Sequence, residues 1–268
     1  MIHRRGPWPF ITHARLGELI INARAHRKRL RARVPGLAWL WQPSRLGWWI
    51  AWSFAIGSSC FMVSALLANV SMPPEPFTLN LIFAIGAVFF TAAAWGQFLE
   101  AVNAPPSLEL YDETPSPRPF RFFGFRPRMV GYWASLVQWI GTITFNVMTL
   151  NAFIPGLNSA GEDLATWTPD MIGSICFLIA SFLALIEVCH RWFCMQLKDM
   201  GWWIAMLNLL GSIAFQLSAL YAYIPPSGNE AISPWLNNFW TALGAACFLV
   251  ASLMLLPEAA PEDADSKH

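Results

Sequence analysis

The sequence predicts an all-α polytopic membrane protein: six transmembrane helices in three tandem hairpins, with an amphipathic helix before them. Three observations predict it. The 268 residues are 56% hydrophobic and only 12% charged, where a soluble domain carries about 25% charged residues. Six apolar stretches each approach the ~20 helical residues that cross a hydrocarbon core, near 46–68, 79–100, 129–154, 170–190, 200–224 and 236–256. The third is an internal repeat, which fixes architecture before any other feature.

The repeat reads as follows. Gly47-Trp48-Trp49-Ile50-Ala51 returns as Gly131-Tyr132-Trp133-Ala134-Ser135 and as Gly201-Trp202-Trp203-Ile204-Ala205. Ten residues after each leading glycine comes Gly-Ser/Thr-x-x-Phe, at Gly57 to Phe61, Gly141 to Phe145 and Gly211 to Phe215. A second block follows in each copy: Gly86 with Phe90, Gly173 with Phe177, Gly244 with Phe248. Fourteen residues beyond those three glycines stand Glu100, Glu187 and Glu258. An even number of crossings per copy leaves all three copies in one orientation, unlike inverted repeats.

The elements follow in order. Residues 1–45 form a basic cytoplasmic segment, in which Leu16, Leu19, Ile20, Ala23, Leu30 and Val34 recur at roughly helical spacing among arginines. This predicts an interfacial amphipathic helix over 12–34 that binds anionic lipids. The basic run is too long for a signal peptide and lacks the interleaved aromatic residues of a nucleic-acid surface. Hairpin repeat 1 spans 46–104, a cytoplasmic linker 105–128, repeat 2 129–192 and repeat 3 193–257, with 258–268 as a disordered acidic tail. Pro73 and Pro74, Pro155, and Pro225 with Pro226 sit where the odd helices must stop and turn.

All seventeen Lys and Arg fall on one side of this topology. The opposite loops hold only acids: Glu75, then Glu162, Asp163 and Asp170, then Glu230. The positive-inside rule places both termini in the cytoplasm, in a cell (inner) membrane.

Candidate site residues are few. Gln138 and Asn208 each lie seven residues past a leading glycine, and Asn146 and Gln216 fifteen past. They suit hydrogen bonding between helices, or a polar cavity between repeats 2 and 3. Phe54 and Met62 take these positions in repeat 1. A carboxylate at a helix C-terminus opposes the helix dipole and wants a cation. The predicted hairpin-base pairs are Arg45–Glu100, Arg128–Glu187 and Lys198–Glu258, with Arg191 as another partner for Glu187. The aromatic pairs form an interfacial belt, and the repeated glycines and serines allow close helix packing. The five cysteines show no zinc spacing and read as small apolar side chains rather than a disulfide framework. Glu187 and His190 give a single E-x-x-H, where a diiron bundle needs two. No phosphate loop, dinucleotide fingerprint, HExxH or nucleophile elbow is present. The sequence therefore predicts no enzyme, no cofactor and no metal.

The Gly-Ser-x-x-Phe block followed by a small-residue apolar helix resembles the YrhK-like family of small bacterial membrane proteins. Repeat 3 carries the likeness, in Gly211-Ser212-Ile213-Ala214-Phe215 and then Asn238 to Pro257 with Gly244 and Phe248. That family is of unknown function and consists of two-helix units. The resemblance implies a threefold fusion of such a unit and supplies no site residues. The function expected is a non-catalytic scaffold or accessory protein, with a lipid or protein partner and no nucleic acid. The alternative is a small transporter or channel using the four amides.

Overall fold

The computed structural model describes residues 2–16, 19–30, 36–104, 119–226 and 230–258. The linker residues 105–118 and the tail 259–268 lie outside the described residues, as do positions 17–18 and 31–34 of the expected N-terminal helix.

Six long helices dominate: α2 (Leu46–Ala68), α3 (Pro76–Val102), α4 (Val130–Asn151), α6 (Thr168–Cys189), α7 (Met200–Tyr221) and α8 (Pro234–Leu255). Each lies within a few residues of an expected stretch. Pro76, Pro169 and Pro234 stand in the first turns of α3, α6 and α8, where a missing N–H costs nothing. The short α5 (Ser159–Glu162) and a π turn over 163–167 lead into α6. Five helices are long and apolar enough to cross a membrane: α2, α3, α6 with its lead-in, α7 and α8. The remaining one, α4, is as long but carries Gln138, Thr142, Thr144, Asn146 and Thr149 along its length. Large apolar side chains face outward along the bundle, among them Val63, Val88, Ile179, Leu220 and Val250. This is the build of a polytopic helical membrane protein.

The helices close a ring. Each packs against two neighbours in the order α2, α3, α4, α6, α7, α8 and back to α2. Glycine makes the contacts close. A Cβ on Gly57 would meet the Gly86 carbonyl at 3.0 Å and the Phe90 ring at 2.9 Å. Gly141 stands likewise to Gly173 and Phe177, and Gly211 to Gly244 and Phe248. The partner glycines Gly86, Gly173 and Gly244 in turn seat the rings of Phe61, Phe145 and Phe215.

Those six rings fill the axis as two stacked triangles. Phe61, Phe145 and Phe215, from the odd members α2, α4 and α7, lie 6.0 to 6.3 Å apart. Phe90, Phe177 and Phe248, from α3, α6 and α8, lie 5.7 to 6.1 Å apart. Between the layers, the two rings of each hairpin are 5.1 to 5.3 Å apart. Aromatic pairs at such spacings contribute about 0.5–1.5 kcal/mol each beyond area burial.

At the basic end, the indole N–H of Trp49, Trp133 and Trp203 each donates to a carbonyl six residues back, at Pro43, Pro127 and Leu197. These tryptophans are clips that tie the start of each odd helix to the segment before it.

The N-terminal segment differs from expectation. Strands β1 (Ile2–Arg5), β2 (His13–Leu16) and β3 (Leu19–Asn22) form an antiparallel sheet in that order, and among the described residues of 12–34 only α1 (Ala23–Arg27) is helical. Asn22 explains the late start, because its side chain accepts from the Arg24 and Ala25 N–H groups and caps α1. Upstream of it, β-branched Ile20 and Ile21 suit a strand. The sheet is tied to the bundle by Ile11 N–H donating to the Arg128 carbonyl at 2.8 Å.

The cysteines also need a correction. Cys189 and Cys194 are disulfide-bonded, while Cys60, Cys176 and Cys247 are free. His190 ends α6 in the left-handed region at φ 56°. The chain folds back there, and Cys194 packs into one cluster with Val188, Cys189 and Trp202. Linear spacing in an apolar helix gave no sign of that return.

Candidate functional site

Two cavities lie on the ring axis, one on each side of the phenylalanine triangles. All six long helices contribute side chains to each.

The basic-end cavity, about 60 Å³, is closed by α1. Arg24, Arg27 and Lys28 form its lid, and Phe177 and Phe248 its floor. One short segment thus delivers three cations onto the three repeated glutamates. Arg27 is bidentate on Glu187, at 2.7 Å from Nη2 to Oε2 and 3.3 Å from Nε to Oε1. Its Nη1 stands 3.8 Å from Glu100 Oε2. Glu258 takes Arg24 Nε at 2.9 Å and Lys28 Nζ at 2.7 Å. Every member of the cluster has a side chain at most 10% exposed, so these are buried ion pairs rather than surface ones.

This corrects the expected hairpin-base pairs. Glu100, Glu187 and Glu258 do need cations, but Arg45, Arg128 and Lys198 do not supply them. Arg45 instead donates to Gln42 Oε1 at 2.7 Å. Glu258 is likewise no part of a loose tail, being 7% exposed. The leading glycine of repeat 2 has a steric reason here: a Cβ on Gly131 would collide with Glu187 and with Arg27 Nε, whereas those on Gly47 and Gly201 would meet Glu100 and Glu258 at ordinary contact distance.

The cluster is electrostatically uneven. Burial works against the Glu258 carboxylate, but Arg24 and Lys28 outweigh it and bring its pKa down to about 2. Burial and the neighbouring Arg24 push Lys28 down from 10.5 to about 8, against the pull of Glu258 and Glu100. Burial also opposes the charge on Arg27, yet Glu187 and Glu100 raise its pKa above the ordinary value. Arg24 Nη2 is buried with no hydrogen-bond partner among the described residues. A cavity of this size and polarity has room for a few waters to serve it.

The four predicted amides separate. Gln138 and Asn208 line the basic-end cavity, with Phe54 in the third wall. Asn146 lies in the α3–α4 contact, donating to Thr91 Oγ1 and the Ala87 carbonyl. Gln216 lies in the α6–α7 contact against Met171 Sδ. Eight residues advance a helix about 80° beyond two full turns, enough to move the second amide of each helix off the axis.

The acidic-end cavity is larger, about 280 Å³. Its floor is the Phe61, Phe145 and Phe215 triangle, and Asp170, Asn80, Asn237 and Asn238 stand around it. Sequence reasoning placed Asp170 only in a loop. The signal available was its spacing, three residues before Gly173 on an amphipathic first turn.

Beside the basic end, His190 receives the Asn22 Nδ2 donor at 3.1 Å and lies 4.8 Å from the His13 ring. Burial lowers the pKa of both imidazoles; His13 adds to the effect on His190, and Arg5 to that on His13. The E-x-x-H pair is thus divided between an ion pair and a sheet contact. Among the described residues, no group of three or more His, Cys, Asp or Glu is placed to hold a metal.

No family model matches the chain, and no curated protein or solved structure is significantly similar to it.

Proposed function

We propose that this chain is a six-span membrane transporter or channel whose path is the ring axis, gated by the paired phenylalanine triangles and capped at the cytoplasmic mouth by α1. One observation carries the reading: two cavities, each with polar side chains among its lining, lie end to end on one axis, and aromatic rings separate them. Hydrophobic constrictions close pores by excluding water. Counting α4 as a span is supported by its 22 residues and by its place in the ring, where Thr91 and the Ala87 carbonyl of α3 take the Asn146 amide. Descent from three copies of a two-helix unit is supported by the equivalent glycine, phenylalanine and tryptophan contacts in each hairpin. The separation of basic and acidic residues supports a cytoplasmic basic end.

The test is flux in proteoliposomes. Gln138→Leu with Asn208→Leu, which removes the two amides that line the basic-end cavity, should abolish solute uptake. Uptake equal to wild type would remove the transport reading.

A second reading, the non-catalytic scaffold, is favoured by the closed axis itself, since rings about 6 Å apart leave no opening. Its main sequence support is weaker than before. Arg24, Arg27 and Lys28 face inward to glutamates and are not displayed to anionic lipid or a partner. Loss of co-purifying partners on deleting residues 1–40, with no flux from the intact chain, would establish it.

A further inference from the structure

We propose that the acidic-end cavity binds a small organic cation of the alkylammonium class, with Asp170 as its counter-charge and the phenylalanine triangle as its seat. The inference rests on the transport reading and gives it a substrate class.

Three features converge. The first is an unanswered charge. Asp170 lines the cavity, and among the described residues it makes no hydrogen bond or ion pair. No lining residue is basic. The chain has no Lys or Arg in 46–117, 129–190 or 199–266, so the whole acidic end lacks a cation of its own. A low-dielectric cleft lined by one sign of charge concentrates ions of the other.

The second feature is the aromatic surface. Phe61, Phe83, Phe145, Phe215 and Trp167 all line the same space. The Trp167 indole N–H is already given to the Ala219 carbonyl, which leaves the ring as surface. Aromatic faces attract a weakly hydrated cation, and cages of them recognise alkylated ammonium groups. A hard metal ion would want six to eight oxygen ligands instead. One carboxylate amid five aromatic rings is poor at that and well suited to an ammonium carrying methyl or ethyl groups.

The third feature is size. About 280 Å³ is at the small end of ligand cavities, roughly 300–1,000 Å³. It suits a compact head rather than an extended chain. The amide groups of Asn80, Asn237 and Asn238 are held by Ala152, Ser218 and Asn69 respectively. They form a fixed polar wall beside the rings.

The probe is choline, with 3,3-dimethylbutan-1-ol as its uncharged isostere, titrated by calorimetry into the full chain in lipid nanodiscs. Saturable choline binding is expected. Asp170→Asn should weaken it at least tenfold, Asp170→Glu should restore most of it, and the isostere should bind at least tenfold more weakly than choline. An unchanged thermal transition in the Asn variant guards against misfolding, and rescue by Glu carries the assignment if that variant is unstable. Absence of saturable choline binding, equal binding of the isostere, or competition by magnesium as effective as choline would each overturn the proposal. Binding as expected without choline flux would retain the site and remove the transport reading. Flux of other solutes with no choline binding would do the reverse.

Discussion

Replacing Arg27 by Met should unfasten the basic-end mouth. Arg27 holds Glu187 through two hydrogen bonds and stands near Glu100. Glu187 is 1% exposed. Methionine fills much of the space but leaves that buried carboxylate with no cation touching it. Stranding one member of a buried pair costs about 3–5 kcal/mol, a large fraction of the 5–15 kcal/mol that stabilises a typical domain. At about 2–4 °C per kcal/mol for a chain of this size, the midpoint should fall by about 10 °C. Glu187→Gln alone should also destabilise, because it removes the principal partner of a buried guanidinium. The two together should recover most of the loss, since exchanging a whole buried pair for neutral groups is often close to neutral. Thermal unfolding followed by tryptophan fluorescence in nanodiscs closes the double-mutant cycle. A coupling energy below about 0.5 kcal/mol, or single variants that melt with wild type, would refute the pairing and with it the docking of α1.

The neighbouring cation should behave in the opposite way. The folded state lowers the Lys28 pKa from 10.5 to about 8, so its charge is a burden at neutral pH, of at most about 4 kcal/mol at ~1.4 kcal/mol per unit. Lys28→Met should leave stability at pH 7 unchanged or raised, and wild-type stability should climb between pH 8 and 10.5 while the variant's stays flat; a large drop in the variant would contradict this. Glu258 titrates near 2 when folded, so its contribution is present above about pH 4.5 and is lost below that as the pH falls toward 2; Glu258→Gln should flatten the acid limb of the melting profile. Both lowered histidines must discharge to pack, so the His13–His190 contact should weaken as the pH falls through 6.5. Hydrogen exchange at β2 and β3 reads that loosening, and exchange independent of pH would count against it. Gly131→Ala places a methyl group on Glu187 and Arg27 and should cost at least as much as an ordinary overpacking substitution, about 1–3 kcal/mol; a neutral melt would show that the glycine has another role.

The helices were legible because long apolar segments announce themselves by composition, and the packing glycines and phenylalanines were legible because they recur at fixed offsets. Those same offsets carried the packing. Gly57, Gly141 and Gly211 are bare where an α3, α6 or α8 backbone approaches, and each phenylalanine four residues on joins one axial triangle. The need of Glu100, Glu187 and Glu258 for cations could also be read, from the dipole argument. Their partners could not. Arg45, Arg128 and Lys198 are near in sequence and repeat with the glutamates, whereas Arg24 reaches Glu258 across 234 positions and belongs to no repeat. A periodicity of apolar residues over 12–34 likewise suggested a surface helix, but Asn22 caps a helix that begins only at Ala23. Local pattern gave the wrong answer there because tertiary contacts decide it: Ile11 pairs with Arg128 and Ala23 packs with Phe98, Val102 and Tyr132.

One inserted segment cannot serve a threefold socket evenly. The ring offers three glutamates, each against its own leading glycine, and α1 brings three cations from one short helix. Glu187 receives a bidentate guanidinium and Glu258 receives both Arg24 and Lys28. Glu100 receives only the 3.8 Å contact from Arg27. It also lines a space of about 30 Å³ with Lys28, Gln42 and Arg45, which makes it the weakest anchor of the lid. If α1 swings away at the basic-end mouth, its edge beside α2 and α3 should part first, with Glu187 and Glu258 as the hinge side. Glu100→Gln should then loosen the lid without unfolding the ring, and Glu187→Gln should do both. Protease sensitivity of residues 23–30 compared with the global melting transition separates the two effects. Equal behaviour of the two variants would show that the socket holds α1 symmetrically after all.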